Sequence, residues 1–190
     1  MTNIADIGSN ANPGYEYNPP LMRQKLRELS FGLNLDYLDF DKIVQKISSG
    51  VPNDVEGWQV IRHAAETVAS LTSIHPDHSI LAARLEIDEL HKSLRGITFT
   101  ENLKQLRSST RVTSEGDNRV PSKRQKVIRA PKKGVISEEF LQMALRYEKK
   151  LNDAIVHERD FNFTYFGWKT LCQSYLIKKN ADQIHETTQF

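Results

Sequence analysis

Apolar residues recur at helical spacing in four successive stretches of the first half of this sequence. The clearest stretch runs from Phe40 to Ile47, with apolar side chains at positions i, i+3, i+4 and i+7. Residues three and four apart lie on the same face of an α-helix. The spacing therefore predicts four amphipathic helices that pack as a small bundle over 21–96.

Helix-start and helix-stop residues flank these stretches. Asn18 precedes Pro19-Pro20, and proline is favoured at the first helical position. The first helix is predicted to end near Gly32. Asn53 and Glu56 have the spacing of a capping box for the third helix.

The fourth predicted helix begins at His75-Pro76-Asp77. Its apolar residues are predicted to share one face, and they are Ile80, Ala83, Ile87, Leu90 and Leu94. Arg84 and Lys92 are predicted to face solvent.

Periodicity fails in two regions. Residues 1–20 are rich in Asn and other turn-forming residues and lack periodicity, which predicts a flexible leader. Residues 97–134 combine turn-forming clusters with basic residues such as Lys123-Arg124 and Lys132-Lys133, which predicts a disordered basic linker. The basic residues fit an extended, self-repelling linker, and an import signal or a phosphate-binding tether is the alternative.

Helical spacing returns within 135–190. Ser137 is a predicted N-cap of a fifth helix, on which one face carries Phe140, Met143, Ala144, Tyr147 and Leu151. The aromatic run from Phe161 to Trp168 predicts a turn whose aromatics pack in a core, followed by a sixth helix. Because no strand pattern is present, the predicted fold class is mainly α: a helical bundle and a second small helical segment, joined by the linker.

Composition excludes several classes of protein. The net charge is +2, so the chain lacks the strong basic excess of a dedicated nucleic-acid binder. No apolar stretch approaches about 18 residues, so no membrane span is predicted, and without a secretory signal the expected compartment is the cytoplasm. The single cysteine, Cys172, excludes an intramolecular disulfide and a two-thiol redox centre within one chain.

Two stretches carry a likeness to a known family. The first consists of Phe31-Gly32-Leu33-Asn34, Ala64-Ala65-Glu66-Thr67, His75-Pro76-Asp77, Ile80-Leu81-Ala82-Ala83-Arg84-Leu85 and Leu90-His91-Lys92. It resembles the ATP-cone, the regulatory nucleotide-binding domain at the N-terminus of class I ribonucleotide reductase large subunits of the eukaryotic type.

The second stretch follows in the same order after the linker. It consists of Leu151-Asn152-Asp153-Ala154-Ile155, Arg159-Asp160-Phe161, Tyr165-Phe166-Gly167-Trp168-Lys169-Thr170-Leu171 and Ser174-Tyr175-Leu176. It resembles the helical segment that leads from the cone into the catalytic barrel. The family fold implies that the sequence stops before the part in which nucleotide reduction takes place.

The resemblance implies binding of ATP or dATP, but most of the family's contact residues are replaced. Residues 9–12 and Pro19-Pro20-Leu21 stand where the family has a basic phosphate-binding motif, while Gly57 and Ile61 replace a contacting Thr and Asp. Of the nucleotide contacts, only Lys92 is matched. We therefore expect weak nucleotide binding, no bound cofactor and no catalytic residue.

Lys92 and the histidines also have simpler interpretations. A lysine near the end of a helix commonly complements the helix dipole. A lone histidine such as His91 is commonly structural, because zinc needs about four ligands and no other His or Cys has suitable spacing. No metal site is predicted.

The sequence therefore favours a truncated or degenerate relative of the reductase large subunit that is catalytically silent alone. The alternative is a free-standing regulatory module that docks on a full-length large subunit. A large or a small reductase subunit is the expected partner, whereas a membrane is not. A nucleic-acid or import adaptor acting through residues 123–133 is the weakest of the three hypotheses.

Overall fold

The computed structural model describes residues 17–51, 57–108, 136–178 and 184–190. The α-helices are α1 (Pro19–Glu28), α2 (Phe40–Gly50), α3 (Gly57–Ala69), α4 (Asp77–Ser93), α5 (Phe99–Ser108), α6 (Glu138–Arg146), α7 (Glu148–Ala154) and α8 (Tyr165–Ser174). Two 3₁₀ helices cover Leu35–Tyr37 and His157–Asn162. In the described ranges β-structure is limited to an isolated bridge between Lys178 and Ile184, which confirms the mainly-α prediction.

The helices form two compact units. The first unit contains the described residues up to Arg95 together with His157–Tyr175, and the second contains those of Gly96–Val156 together with Leu176–Phe190. The segment 135–190, predicted as one domain, is therefore divided between them. Its aromatic part belongs with α1–α4.

The predicted apolar stripes form the core of the first unit. Phe40, Ile43, Val44 and Ile47 of α2 are all buried, as are Val60, Ala64 and Val68 of α3. The side chain of Asn18 accepts the backbone N–H of Leu21 at 3.1 Å, and that of Asp39 accepts the N–H of Lys42 at 3.1 Å. These N-caps fix the starts of α1 and α2 where the sequence predicts them. The capping box of Asn53 and Glu56 lies outside the described residues.

Gly32 lies in the turn that follows α1 rather than at the end of the helix. Its φ of +71° is a left-handed conformation that glycine adopts without steric cost. A side chain at this position would strain the turn.

The prediction that Arg84 faces solvent is wrong. Arg84 is 5% exposed, and its guanidinium donates to the carbonyls of Leu29, Phe31 and Phe161. These carbonyls include the C-cap of α1 and the turn after it, where backbone acceptors have no helical partner. A buried cation is therefore retained because it satisfies backbone oxygens that the apolar core cannot.

The predicted linker begins too early, because α5 occupies 99–108. Thr98 and Glu101 form a reciprocal capping box: the Thr98 N–H donates to Glu101 Oε2 at 2.9 Å, and the Glu101 N–H donates to Thr98 Oγ1 at 3.3 Å. Leu103 and Leu106 are buried. The rest of the predicted linker, residues 109–134, lies outside the described residues, as do residues 1–16 of the predicted leader.

The fifth predicted helix is two short helices, α6 and α7, that meet at Tyr147. Ser137 is the N-cap of α6, and its hydroxyl accepts the N–H of Phe140 at 3.2 Å. Leu141 and Ala144 are buried against Leu103 of α5. The predicted face was wrong because Phe140, Met143 and Tyr147 are 41%, 54% and 50% exposed.

The aromatic run forms the 3₁₀ helix His157–Asn162 and then α8. Trp168 is buried, and Phe161 and Tyr165 pack against the core of the first unit. Phe166 is 82% exposed, so the prediction of core packing is wrong for that residue. No helix in the described ranges is both long and apolar enough to span a bilayer.

Candidate functional site

Lys92, the residue matched to a nucleotide contact, lies in the last turn of α4. Its Nζ is 3.0 Å from Asp88 Oδ2, one helical turn earlier, and the lysine side chain is 25% exposed. An acidic residue four positions before a lysine on a helix is a favourable arrangement. Lys92 is therefore engaged within the protein rather than extended into solvent.

Asp88 also binds a second lysine, Lys25 of α1. Lys25 Nζ is 3.0 Å from Asp88 Oδ2 and 3.5 Å from Glu89 Oε2, and its side chain is 3% exposed. The helical repeat brings Lys25 inward with Met22 and Leu26, which are buried core residues. We call Lys25, Asp88, Glu89 and Lys92 the Lys92 cluster.

Burial and charge act in opposite directions on the Lys92 cluster. Burial lowers the pKa of Lys25 from its ordinary value, although Asp88 opposes this change. Burial alone would raise the pKa of Asp88, but Lys25 and Lys92 lower it overall. Asp88 is therefore an ionised carboxylate at neutral pH, shared by two ammonium groups.

The cluster has no surplus positive charge for a triphosphate. Its two cations are balanced by two carboxylates, so a phosphate would have to displace Asp88 from Lys92. Such an exchange gives little net attraction because one charge-assisted contact replaces another. The geometry therefore favours a structural ion-pair cluster over a phosphate site.

The two replaced contact positions on α3 offer no nucleotide ligands. Gly57 begins α3 and is buried, and Ile61 is 2% exposed within the hydrophobic core. Pro19 and Pro20 form the first turn of α1. Residues 9–12 lie outside the described part of the chain.

Glu86 holds α8 against α4 through three donors. Its Oε2 accepts from Trp168 Nε1 at 2.9 Å, while Oε1 accepts from Lys169 Nζ at 2.8 Å and from the Tyr165 hydroxyl at 3.3 Å. Burial raises the pKa of the Tyr165 hydroxyl, and the charge of Glu86 adds to this effect. Glu86 thus holds α8, the helix of the aromatic segment, against α4 within the first unit.

Of the groups that surround Lys92, the sequence signals only Asp88, by its spacing of four residues. The contact with Lys25 joins residues more than 60 positions apart, for which the sequence has no local signal.

Cys172 lies on α8 and is half-buried.

Comparison with known proteins gives a consistent set of relatives. No protein-family model matches the chain. It is 37% identical over 169 residues, or 88% of its length, to the ribonucleoside-diphosphate reductase large subunit of monkeypox virus. It is 36% identical over 87% of its length to the large subunit of Caenorhabditis elegans, and 36% identical over 83% to large chain 2 of Saccharomyces cerevisiae. The chain spans 20%, 19% and 16% of the length of these three relatives.

Proposed function

Because this chain is homologous to ribonucleoside-diphosphate reductase large subunits, we propose that its 190 residues form a degenerate regulatory region of such a subunit. The region keeps the helical body and binds ATP or dATP weakly. The observation that carries this proposal is the position of Lys92, whose ammonium group is bound by Asp88 at 3.0 Å. A regulatory region of this kind acts through helix packing rather than through a tight nucleotide pocket.

The proposal includes catalytic silence. The names of the relatives give ribonucleoside diphosphates as their substrates. In a reduction of this kind driven by thiols, two cysteines supply the electrons and are oxidised to a disulfide. The sequence contains one cysteine, Cys172, so a single chain lacks the second thiol.

The isolated chain is therefore expected to form no deoxynucleotide from any ribonucleoside diphosphate, with or without a radical-generating small subunit. Product formation is measured by chromatography against a blank without the chain. A complete reductase large subunit serves as the positive control. Product above the blank that disappears in Cys172→Ser would contradict catalytic silence, whereas product that persists in that variant identifies a contaminating reductase.

A free-standing module that docks on a full-length large subunit is the second candidate. Six large apolar side chains of the described part of the first unit are more than half exposed: Phe31, Leu35, Tyr37, Ile74, Phe166 and Tyr175. The candidate is favoured by three of them, Leu35, Tyr37 and Ile74, which lie near one another. Exposed apolar groups that lie close together mark protein-interaction surfaces. Leu35 and Tyr37 share one 3₁₀ helix, and the Tyr37 ring stacks on His75, the neighbour of Ile74, with centroids 4.3 Å apart.

Under this second candidate the chain is expected to co-elute with a full-length reductase large subunit in gel filtration, and Ile74→Asp is expected to abolish co-elution. Lys42→Ala, which changes an exposed residue of α2, serves as the matched control. Absence of co-elution with the unmodified chain excludes docking.

A steep loss of nucleic-acid binding with added salt would instead point to an adaptor that acts through residues 123–133.

A further inference from the structure

Three side chains of types that can ligate a metal converge in the first unit, outside the Lys92 cluster. His91 lies in the last turn of α4, while His157 and Asp160 belong to the 3₁₀ helix His157–Asn162. In a 3₁₀ helix, residues i and i+3 eclipse one another, so His157 and Asp160 project to the same side. His91 Nε2 is 2.8 Å from Asp160 Oδ2, and one ligand atom from each of the three residues lies within 4.8 Å of the others.

We propose that His91, His157 and Asp160 bind one divalent transition-metal ion, with Zn²⁺ as the best match. Two imidazole nitrogens and one carboxylate oxygen form a donor set found in zinc sites that keep a position open for water. Imidazole suits zinc and the neighbouring transition metals, whereas Mg²⁺ and Ca²⁺ prefer oxygen ligands. The sequence predicts no metal because His157 and Asp160 are more than 60 positions away from His91.

The geometry allows the site to close around an ion with a small movement. Zinc bonds to nitrogen and oxygen are about 2.0–2.2 Å, which places donors around a tetrahedral ion roughly 3.3–3.6 Å apart. His91 Nε2 and Asp160 Oδ2 are 2.8 Å apart, so these two atoms have to separate slightly to admit an ion. Asp160 is 1% exposed, so its carboxylate has a fixed position. His157 is exposed, and its ring lies edge-on to that of His91 with the centroids 5.4 Å apart, so the proposal requires only a side-chain movement of His157 toward the ion.

The surrounding charges also favour a cation. The carbonyl end of α4, where His91 lies, carries the negative end of the helix dipole. Lys92, the next residue of α4, is paired with Asp88. The carboxylate of Asp88 offsets the positive charge of Lys92 beside the three ligands. Glu158 and Arg159, which lie between the two ligands of the 3₁₀ helix along the chain, are exposed and opposite in sign.

Binding of the ion replaces the hydrogen bond between His91 and Asp160. The metal needs the lone pair of one nitrogen on each imidazole, so the ligating nitrogen of each histidine is unprotonated in the metal-bound form. A purely structural contact between His91 and Asp160 would take up no ion.

The test is a calorimetric titration of the full chain with ZnCl₂ in the absence of nucleotide. We expect saturable uptake of one ion per chain at pH 7.5. His157→Ala is expected to weaken binding by at least about 100-fold, because even changes outside the ligand set cost about 10–100-fold. Since His157 is exposed, this variant is expected to keep the wild-type circular dichroism spectrum.

His75→Ala is the matched control. It removes another histidine that lies beside an aspartate, with His75 Nδ1 3.6 Å from Asp77 Oδ2, but outside the proposed ligand set. It is expected to leave both stoichiometry and affinity unchanged. Absence of saturable uptake, or equal uptake by His157→Ala and the unmodified chain, overturns the proposal. Neither result bears on nucleotide binding or catalytic silence.

Discussion

Replacement of Arg84 by alanine is expected to lower the free energy of unfolding of the first unit by about 4 kcal/mol. Arg84 Nη1 donates to the carbonyls of Leu29 at 2.8 Å and Phe31 at 2.6 Å, and Nε donates to the carbonyl of Phe161 at 3.0 Å. The guanidinium also lies 3.9 Å from the centroid of the Phe31 ring. Truncation removes all these contacts together.

The size of this effect follows from the charge on the donor. A hydrogen bond to a charged group contributes about 1.5–3 kcal/mol, and a buried carbonyl left without a partner adds a penalty for its lost hydration. Three such bonds sum to more than 4 kcal/mol, but contributions that share one side chain are not additive. Arg84→Lys is expected to lose less stability than Arg84→Ala but more than the unmodified chain, because one ammonium group cannot reproduce the planar fork of the guanidinium.

Urea unfolding followed by tryptophan fluorescence measures this change. Both tryptophans, Trp58 and Trp168, lie in the first unit, so the signal reports on that unit. Arg62→Ala is the matched control: Arg62 is exposed on α3, with its guanidinium carbon 5.0 Å from the centroid of the Trp58 ring. It is expected to cost less than about 1 kcal/mol. An equally small loss in Arg84→Ala would contradict the role assigned to the buried guanidinium.

The helices could be predicted because their signals are local. Along α2 every residue of the predicted stripe is buried, and both Asn18 and Ser137 cap the helices they precede. Periodicity and capping depend on residues within one or two turns. The start of α5 also has a local signal, the capping box of Thr98 and Glu101, but the turn-rich and basic composition beyond it led to residues 99–108 being assigned to the predicted linker.

The buried charges could not be predicted in this way. Arg84 binds carbonyls 53 and 55 positions earlier, and their position depends on how α1 and α4 pack. Lys25 follows the same logic, since its burial on the core face of α1 depends on Asp88 and Glu89, which lie opposite it on α4. A charged residue in a helix normally indicates a solvated face, and tertiary packing reverses that expectation here.

The candidate site also combines features that local sequence signals predict with contacts that depend on tertiary packing. The family resemblance identifies Lys92, and the spacing of four residues signals its contact with Asp88. The meeting of His91 with Asp160 joins residues 69 positions apart, so it emerges only from the packing of the 3₁₀ helix on α4. Sequence alone therefore identifies Lys92 and its partner Asp88, but not the contacts that join residues distant along the chain.

ATP and dATP are expected to bind this chain with millimolar dissociation constants, about a thousandfold more weakly than they bind an intact cone. A triphosphate is held by several charge-assisted hydrogen bonds, each contributing about 1.5–3 kcal/mol. Loss of three such partners costs about 4 kcal/mol or more, which corresponds to a thousandfold in affinity. Lys92 does not compensate for this loss, because Asp88 already neutralises it.

Calorimetric titration with ATP at millimolar concentration measures the affinity. Lys92→Ala is expected to change the affinity little, as is Lys42→Ala, the matched control at an exposed position of α2. Asp88→Asn is expected to tighten binding, because it removes the carboxylate that holds Lys92, provided that circular dichroism shows an intact fold. Saturable binding in the low micromolar range that Lys92→Ala abolishes would show instead that the nucleotide site is functional and that Asp88 yields Lys92 to the phosphate.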